Sequence, residues 1–109
     1  MSTATYIKDE AEFDQLLGEQ SLMVVDCTAS WCGPCKLVAP LMDQLAEAYD
    51  GRVGVFKLDI DANKPVAKRF GLKSIPAVMY FKQGELKETL VGVKPYEIFV
   101  SSTDALLAD

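Results

Sequence analysis

The sequence predicts an α/β fold in which helices flank both faces of a central mixed β-sheet. The β-rich and almost entirely apolar run Leu22–Thr28 is typical of a central strand. A long helix over residues 34–49 and a second strand over residues 53–58 follow it, which makes a parallel crossover unit. Two later strands, 77–81 and 85–91, flank the turn sequence Lys82-Gln83-Gly84 as a hairpin, so the sheet must be mixed.

The first helix is predicted over residues 9–17, after an edge strand that could open the chain. Asp9 and Glu12 have the spacing of a capping pair, and the apolar residues that follow share one helical face. Gly18 is expected to end this helix, because glycine readily takes the backbone conformation found just past a helix.

Three further helices follow from local signals. The long helix contains Pro40, which removes one backbone hydrogen bond and should bend it. Asn63 opens a short helix that runs to residue 70 and that Gly71 can close. The last helix begins after Pro95 and carries apolar residues at helical spacing up to Leu107.

Size and charge limit the possible functions. At 109 residues, 50% of them hydrophobic, the chain fits one compact domain, expected over residues 1–109. A formal net charge of -5 argues against nucleic acid or an anionic membrane as the main partner, so we expect soluble protein partners. We also expect a monomer. Neither a secretory signal nor a membrane-spanning apolar run is visible. We therefore expect a cytoplasmic protein or the mature form of an organelle protein.

The segment Trp31-Cys32-Gly33-Pro34-Cys35 places two thiols where a strand gives way to a helix. Near the amino end of a helix, free N–H groups and the helix dipole favour a thiolate, so the pKa of Cys32 should fall below that of a free thiol. Cys35 lies one helical turn further on, close enough for a disulfide and directed inward. We predict that Cys32 attacks a substrate disulfide and that Cys35 resolves the mixed disulfide.

A Cys-x-x-Cys pair can also bind a metal ion or be incidental. A closed zinc site needs four Cys or His ligands, whereas this chain has three cysteines and no histidine. Metal binding is therefore disfavoured, unless two chains share one ion. Redox chemistry is the favoured interpretation.

Cys35 must lose a proton before it attacks, and the chain has no histidine to take it. Asp26 lies in the strand that leads to the motif, and its apolar surroundings should raise its pKa toward the useful range. Lys57, in the neighbouring predicted strand, could pair with it. We predict Asp26 as the proton acceptor, directly or through water. The alternative is a structural Asp26 that Lys57 and backbone groups satisfy.

The motif is part of a wider pattern across the chain. The matching positions are Val25, Asp26, Ala29, Trp31, Cys32, Gly33, Pro34, Cys35, Lys36, Pro40, Asp59, Asp61, Ile75, Pro76, Phe81, Gly84 and Gly92. Together they resemble the thioredoxin family over roughly residues 6–107. The Trp-Cys-Gly-Pro-Cys signature is highly specific, and a separate Ile-Pro in the right strand context is a second, independent match.

The resemblance implies a thioredoxin fold with a cis peptide bond before Pro76. It also implies that the loop of Pro76 packs beside the thiols and that the backbone before it pairs with an extended substrate segment. The residues implied to bind substrate, most of them in a shallow apolar groove, are Trp31, Gly33, Pro34, Ile75, Pro76 and Gly92. Two alternatives stay open: Trp31 as a half-buried aromatic anchor without substrate contact, and Gly92 as a turn glycine.

The resemblance further implies a two-electron carrier for disulfide-containing target proteins. A dedicated reductase, dependent on NADPH or ferredoxin, would recharge it, because Gly51-Arg52-Val53-Gly54 is unlike a nucleotide-binding loop. We expect no bound cofactor. The favoured function is a protein disulfide reductase; a disulfide oxidant or isomerase and a non-catalytic binding module are the alternatives.

Two positions depart from the family pattern. Many thioredoxins have aromatic residues where this chain has Cys27 and Thr28, so the wall beside the active site has lost bulk. Strand alternation turns Cys27 to the opposite face from Asp26, which suggests a core thiol. A redox-sensing or interchain thiol is the alternative. Thr28 shares the face of Asp26 and could add water or hydrogen bonds near the site.

Overall fold

The computed structural model describes residues 3–108 and confirms the predicted fold. The elements in chain order are β1 (Thr5–Tyr6), α1 (Glu10–Glu19), β2 (Leu22–Thr28), α2 (Cys35–Ala48), β3 (Gly54–Asp59), α3 (Lys64–Arg69), β4 (Ala77–Lys82), β5 (Glu85–Val91) and α4 (Tyr96–Leu107). The predicted single domain over 1–109 includes residues 1, 2 and 109, which lie outside the described residues, and it stays a prediction.

The strands form one mixed sheet in the order β1-β3-β2-β4-β5. Strand β3 pairs in parallel with both β1 and β2, whereas β4 runs antiparallel to β2 and β5 antiparallel to β4. The hairpin turn is made by Gln83 and Gly84, whose φ angles of 55° and 78° are both left-handed. Such a turn matches the twist of the flanking strands. As a result β2 lies in the middle of the sheet, and its carboxyl end leads into the cysteine motif.

The two faces of the sheet carry separate cores. Val24 points to the side covered by α2 and α4, where it packs in one cluster with Val38 and Phe99. Cys27 points to the side covered by α1 and α3 and joins the cluster that contains Phe13. Because successive strand residues alternate between faces, Asp26 lies on the side of α2 and Cys27 on the other. None of the helices in the described range is both long and apolar enough to cross a membrane.

The prediction that Gly18 ends the first helix is wrong. The helix is capped as expected at its start, where Asp9 Oδ1 accepts the N–H of Glu12 at 2.9 Å. It then continues through Gly18 to Glu19, and the N–H of Gln20 closes it on the carbonyl of Leu16. Glycine ends a helix by adopting a positive φ, and Gly18 does not adopt one.

Candidate active site

The turn between β2 and α2 brings the two thiols together. Cys32 and Cys35 form a disulfide with their Cα atoms 5.4 Å apart. The helix begins at Cys35, with Pro34 at the cap position, one residue later than the sequence predicts. The backbone N–H of Cys35 donates to Cys32 Sγ at 3.2 Å. The first free amide of the helix therefore points at the sulfur that is predicted to carry the negative charge.

Both cysteines are nearly covered by protein. Cys32 is 4% exposed and Cys35 is 1% exposed, so Cys32 is the slightly more exposed residue. They form a small cluster with Ala29, against which Ile60 and Ile75 pack. Little of either residue is open to solvent, and Cys32 is the more accessible of the two to an approaching substrate.

The loop before β4 lies beside the thiols. Its Ile75–Pro76 peptide bond is cis, as the family resemblance implies. Ile75 is half-buried against the disulfide, whereas Pro76 itself is buried. The carbonyl of Pro76 accepts the N–H of Gly92 at 2.8 Å, and Gly92 has a φ of 97°, which residues other than glycine rarely adopt. The turn role of Gly92 therefore has a structural basis, and its contact with substrate stays a prediction.

Trp31 is an exposed aromatic residue at the entrance to the site. Its side chain is 67% exposed, so it is not the half-buried anchor considered above. The indole Nε1 donates to Asp61 Oδ2 at 2.7 Å, which holds the ring in place. A groove of about 420 Å³ is lined by Trp31, Ile60, Leu72, Lys73, Ser74 and Ile75. Gly33 and Pro34 are exposed in the turn before α2, outside this lining.

Asp26 is a fully buried carboxylate next to this site. Its relative exposure is 0%, and neither of its oxygens has a hydrogen-bond partner among residues 3–108. Burial raises the pKa of Asp26 to about 7; attraction by Lys57 opposes this rise, and repulsion by Asp43 adds to it. A carboxyl with such a pKa can gain or lose a proton near neutral pH.

Lys57 does not pair with Asp26 as the sequence suggested. The two residues stand opposite each other in the β2–β3 register, but the Lys57 ammonium forms its ion pair with Asp43 Oδ1 on α2 at 3.1 Å. The Lys57 side chain is 11% exposed and that of Asp43 39%, so this pair keeps some contact with water. An ion pair buried beside Asp26 would lose that hydration, which is costly. Because neither oxygen of Asp26 has a hydrogen-bond partner among the described residues, the alternative of a structural Asp26 that Lys57 and backbone groups satisfy is wrong as well.

The two residues that depart from the family pattern have different surroundings. Cys27 is fully buried in the α1 and α3 core, and burial raises the pKa of its thiol, which favours the uncharged form of a core residue. Thr28 is half-buried and lines a cleft of about 290 Å³ whose wall also contains Cys35 and Lys36. This cleft lies on the Asp26 side of β2 and has room for several water molecules.

Sequence reasoning gave no role to Asp43, and it used Asp61 only as part of the family pattern. Asp61 fixes the indole of Trp31, and Asp43 fixes the ammonium of Lys57. One signal could have pointed to Asp43. A lysine within a buried strand needs an acidic partner, and the helix that crosses over this strand contains an aspartate close to its buried residues.

The thioredoxin family model matches residues 4–105. The chain belongs to the thioredoxin family. It is 42% identical to thioredoxin 1 of Synechococcus elongatus over 105 residues, which are 95% of this chain and 97% of that protein. It is 37% identical to the chloroplastic M-type thioredoxin of Spinacia oleracea over 102 residues, which are 94% of this chain and 56% of that protein.

Solved thioredoxins have the same fold. The Plasmodium falciparum thioredoxin superposes with a TM-score of 0.87 at 27% identity and covers 94% of this chain and 98% of its own. The chain spans about half the length of the chloroplast relatives it matches, with 56% and 52% of those of spinach and pea. Thioredoxins are thiol-disulfide oxidoreductases, and the Cys32–Cys35 pair fits a redox-active site of that type. The predicted family and fold are therefore confirmed.

Proposed function

We propose that this protein is a protein disulfide reductase in which Cys32 attacks and Cys35 resolves. The observation that carries the proposal is the Cys32–Cys35 disulfide, with the first amide of α2 directed at Cys32 Sγ. In the reduced form, the Cys32 thiolate attacks a substrate disulfide, bonds to one sulfur and displaces the other as a thiolate. The Cys35 sulfur, having given its proton to a base, then attacks Cys32 Sγ, closes the internal disulfide and releases the second substrate sulfur as a thiolate, which takes a proton from solvent. Two electrons pass to the substrate.

Acidity of Cys32 supplies only a small part of the rate. A lower thiol pKa increases the thiolate fraction but decreases the nucleophilicity of each thiolate, so the net gain at neutral pH is only about a few-fold. The resolving step is intramolecular, because the two Cα atoms are 5.4 Å apart. Positioning of Cys35 therefore contributes most of the acceleration in that step.

Asp26 accepts the proton of Cys35 in this proposal. With a pKa of about 7, its carboxyl is about half ionised at neutral pH, and no histidine is present to compete. Asp26 points to the side of the sheet that α2 covers, and Cys35 begins that helix and lines the cleft beside Thr28. A water in this cleft is the proposed link between the two groups. The proton leaves Cys35 as its sulfur attacks Cys32, and it passes from Asp26 to solvent afterwards.

The groove beside Trp31 and Ile75 receives the substrate chain. Its apolar walls suit the side chains of an extended segment, and the cis peptide bond before Pro76 presents backbone groups next to the disulfide. Gly33, Pro34 and Gly92 are assigned to the substrate-binding surface around this groove. The two glycines have no side chain to obstruct an approaching backbone, and Pro34 has no backbone N–H that would need a partner.

Family membership implies disulfide-containing targets and a reductase partner in general. More specifically, the proposal includes a separate NADPH- or ferredoxin-dependent reductase, a monomeric state, and location in the cytoplasm or an organelle. The chloroplastic relatives of spinach and pea support the organelle alternative.

The decisive test is reduction of insulin disulfides by the protein, recharged by dithiothreitol. We expect fast reduction by the wild type and none above the dithiothreitol background by Cys32→Ser, because the attacking sulfur is gone. Cys27→Ala is the matched control, since it removes a thiol of the opposite core, and it should keep the wild-type rate. Full activity of Cys32→Ser would contradict the proposal. A binding module would instead keep its effect on a partner after both active-site cysteines become serine.

The role of Asp26 has its own test. Asp26→Asn should slow insulin reduction on the order of a hundredfold above pH 7, the lower end for general base catalysis, and should remove the rise in rate around pH 7. Steady-state rates between pH 5 and pH 9 would measure this change. Asp50→Asn, an exposed aspartate beyond α2, serves as the control and should leave the profile unchanged. An unaltered profile in Asp26→Asn would remove Asp26 from the mechanism.

A further inference from the structure

Lys57 stands between two carboxylates and bonds only one of them. Its Cα is the register partner of Asp26 in the parallel β2–β3 pair, so both side chains leave the same face of the sheet. The ammonium nevertheless lies 3.1 Å from Asp43 Oδ1, and both oxygens of Asp26 lack partners within the described part of the chain. The ammonium is therefore bound by Asp43 and not by Asp26.

Asp43 is itself held in position. It projects from the middle of α2, and its Oδ1 also accepts the backbone N–H of Ala4 at 3.1 Å, just before β1. The ring of Tyr6 in β1 lies 5.9 Å from the Lys57 ammonium and covers its other side. The ammonium is thus placed between Tyr6 of the edge strand and Asp43 of the long helix.

We propose that Asp43 is a positioning residue for disulfide exchange: its carboxylate holds the Lys57 ammonium away from Asp26 and leaves the buried carboxyl free to take the proton of Cys35. This inference rests on the proposed role of Asp26. It assigns to Asp43 an effect on the reaction without contact with substrate or with the reacting sulfurs.

Among the charged groups around Asp26, Lys57 has the largest effect on the pKa of its carboxyl. Lys57 faces it from β3, and Asp43 acts on it from α2, the helix that begins at the disulfide-bonded Cys35. On β4 its register partner is the apolar Val78. The α4 side of this core contributes apolar residues such as Phe99, and Cys27 points to the opposite face.

The position of the ammonium affects the proton affinity of Asp26. A cation within about 4–6 Å stabilises a carboxylate and lowers its pKa, which would make it a weaker base. In the structure, burial outweighs the attraction of Lys57 and the pKa of Asp26 is raised to about 7. Release of Lys57 from Asp43 would let the ammonium move toward Asp26 and would cancel part of this rise.

The test is titration of the Asp26 carboxyl carbon by NMR in the oxidised protein, where Cys32 and Cys35 do not titrate. In Asp43→Asn, which keeps an oxygen for the Ala4 N–H, we expect the midpoint to fall by about one pH unit. The pH profile of insulin reduction should move in the same direction. Asp43→Glu keeps the charge and should restore a midpoint close to that of the wild type.

A second background separates positioning from direct repulsion. In Lys57→Met, the further change Asp43→Asn removes only the repulsion between the two carboxylates, so the fall in midpoint should be clearly smaller than with Lys57 present. An equal fall in both backgrounds, or no fall in either, would overturn the positioning role. A shifted midpoint with an unshifted activity profile would instead contradict the proposed role of Asp26, and with it this inference.

Discussion

Replacement of Cys35 by serine should trap the protein on its substrates. The reduced Cys35→Ser variant can still attack a disulfide through Cys32, but it has no second thiolate to displace the bound substrate sulfur. In the wild type that thiolate is held with its Cα 5.4 Å from that of Cys32, an arrangement that can supply an effective concentration of about 10⁵ M or more. A hydroxyl in its place does not attack a disulfide at neutral pH. Turnover should fall to the dithiothreitol background while mixed disulfides accumulate.

Nonreducing gel electrophoresis followed by mass mapping of the adducts would measure this effect. The substrate should be joined to Cys32, and Cys32→Ser should form no adduct. The double variant Cys27→Ala/Cys35→Ser is the matched control and should trap as much substrate as Cys35→Ser, because Cys27 is buried in the opposite core. Adducts at Cys27, or rapid turnover by Cys35→Ser, would be incompatible with the assigned order of attack.

Replacement of Asp26 by asparagine should stabilise the folded protein at alkaline pH. The pKa of Asp26 is raised from its ordinary value of 3.8 to about 7 in the folded state, mainly by burial. The folded state therefore binds this proton more tightly than the unfolded state. The resulting stabilisation is complete below pH 3.8 and is lost as the pH rises through about 7. Above that pH the buried charge costs at most about 4 kcal/mol, which the neutral amide does not incur.

Denaturant unfolding of the oxidised proteins between pH 4 and pH 9 would measure the difference in free energy of unfolding. The advantage of Asp26→Asn should be near zero at the acid end, grow between pH 4 and pH 7, and remain constant above. Asp50→Asn is the control, since an exposed aspartate should change the stability by little at any pH. A stability difference that does not depend on pH would show that Asp26 titrates normally in the folded protein.

The buried carboxyl of Asp26 lowers the stability of the folded protein at the active site. An unpartnered buried carboxylate weakens the fold at neutral pH, and the same lack of partners gives it a proton affinity suited to a thiol exchange reaction. An asparagine would be the more stable choice at this position. The aspartate is explained by the proton that the proposed reaction must move.

Local signals predicted most of the fold. The bounds of β2 and β5 agree with the sequence-based prediction, because apolar β-prone runs and a turn with glycine at a left-handed position act over short distances. The amino end of α1 was also predictable, since the Asp9 cap contacts a residue only three positions away. Its carboxyl end was not predictable, because Gly18 is compatible with a helix and nothing local requires the helix to stop there.

Local sequence also predicted part of the active site. The spacing of Cys32 and Cys35 and the strand-to-helix change around them are local, and the sequence alone predicted the disulfide chemistry from them. The opposite orientations of Asp26 and Cys27 followed from strand alternation. The cis bond before Pro76 came from the family resemblance, since an X-Pro bond is trans in most cases.

The sequence by itself determined the order of the elements, the redox motif and the presence of a buried aspartate beside it, because each depends on neighbouring residues. Only the tertiary structure decided the partners of the charged and polar groups. The contact between Trp31 and Asp61 joins residues 30 positions apart, and the choice of Asp43 by Lys57 depends on how α2 is rotated over β3. A side chain bonds the group it can reach while both remain partly hydrated, and that geometry exists only after the helix has packed on the sheet.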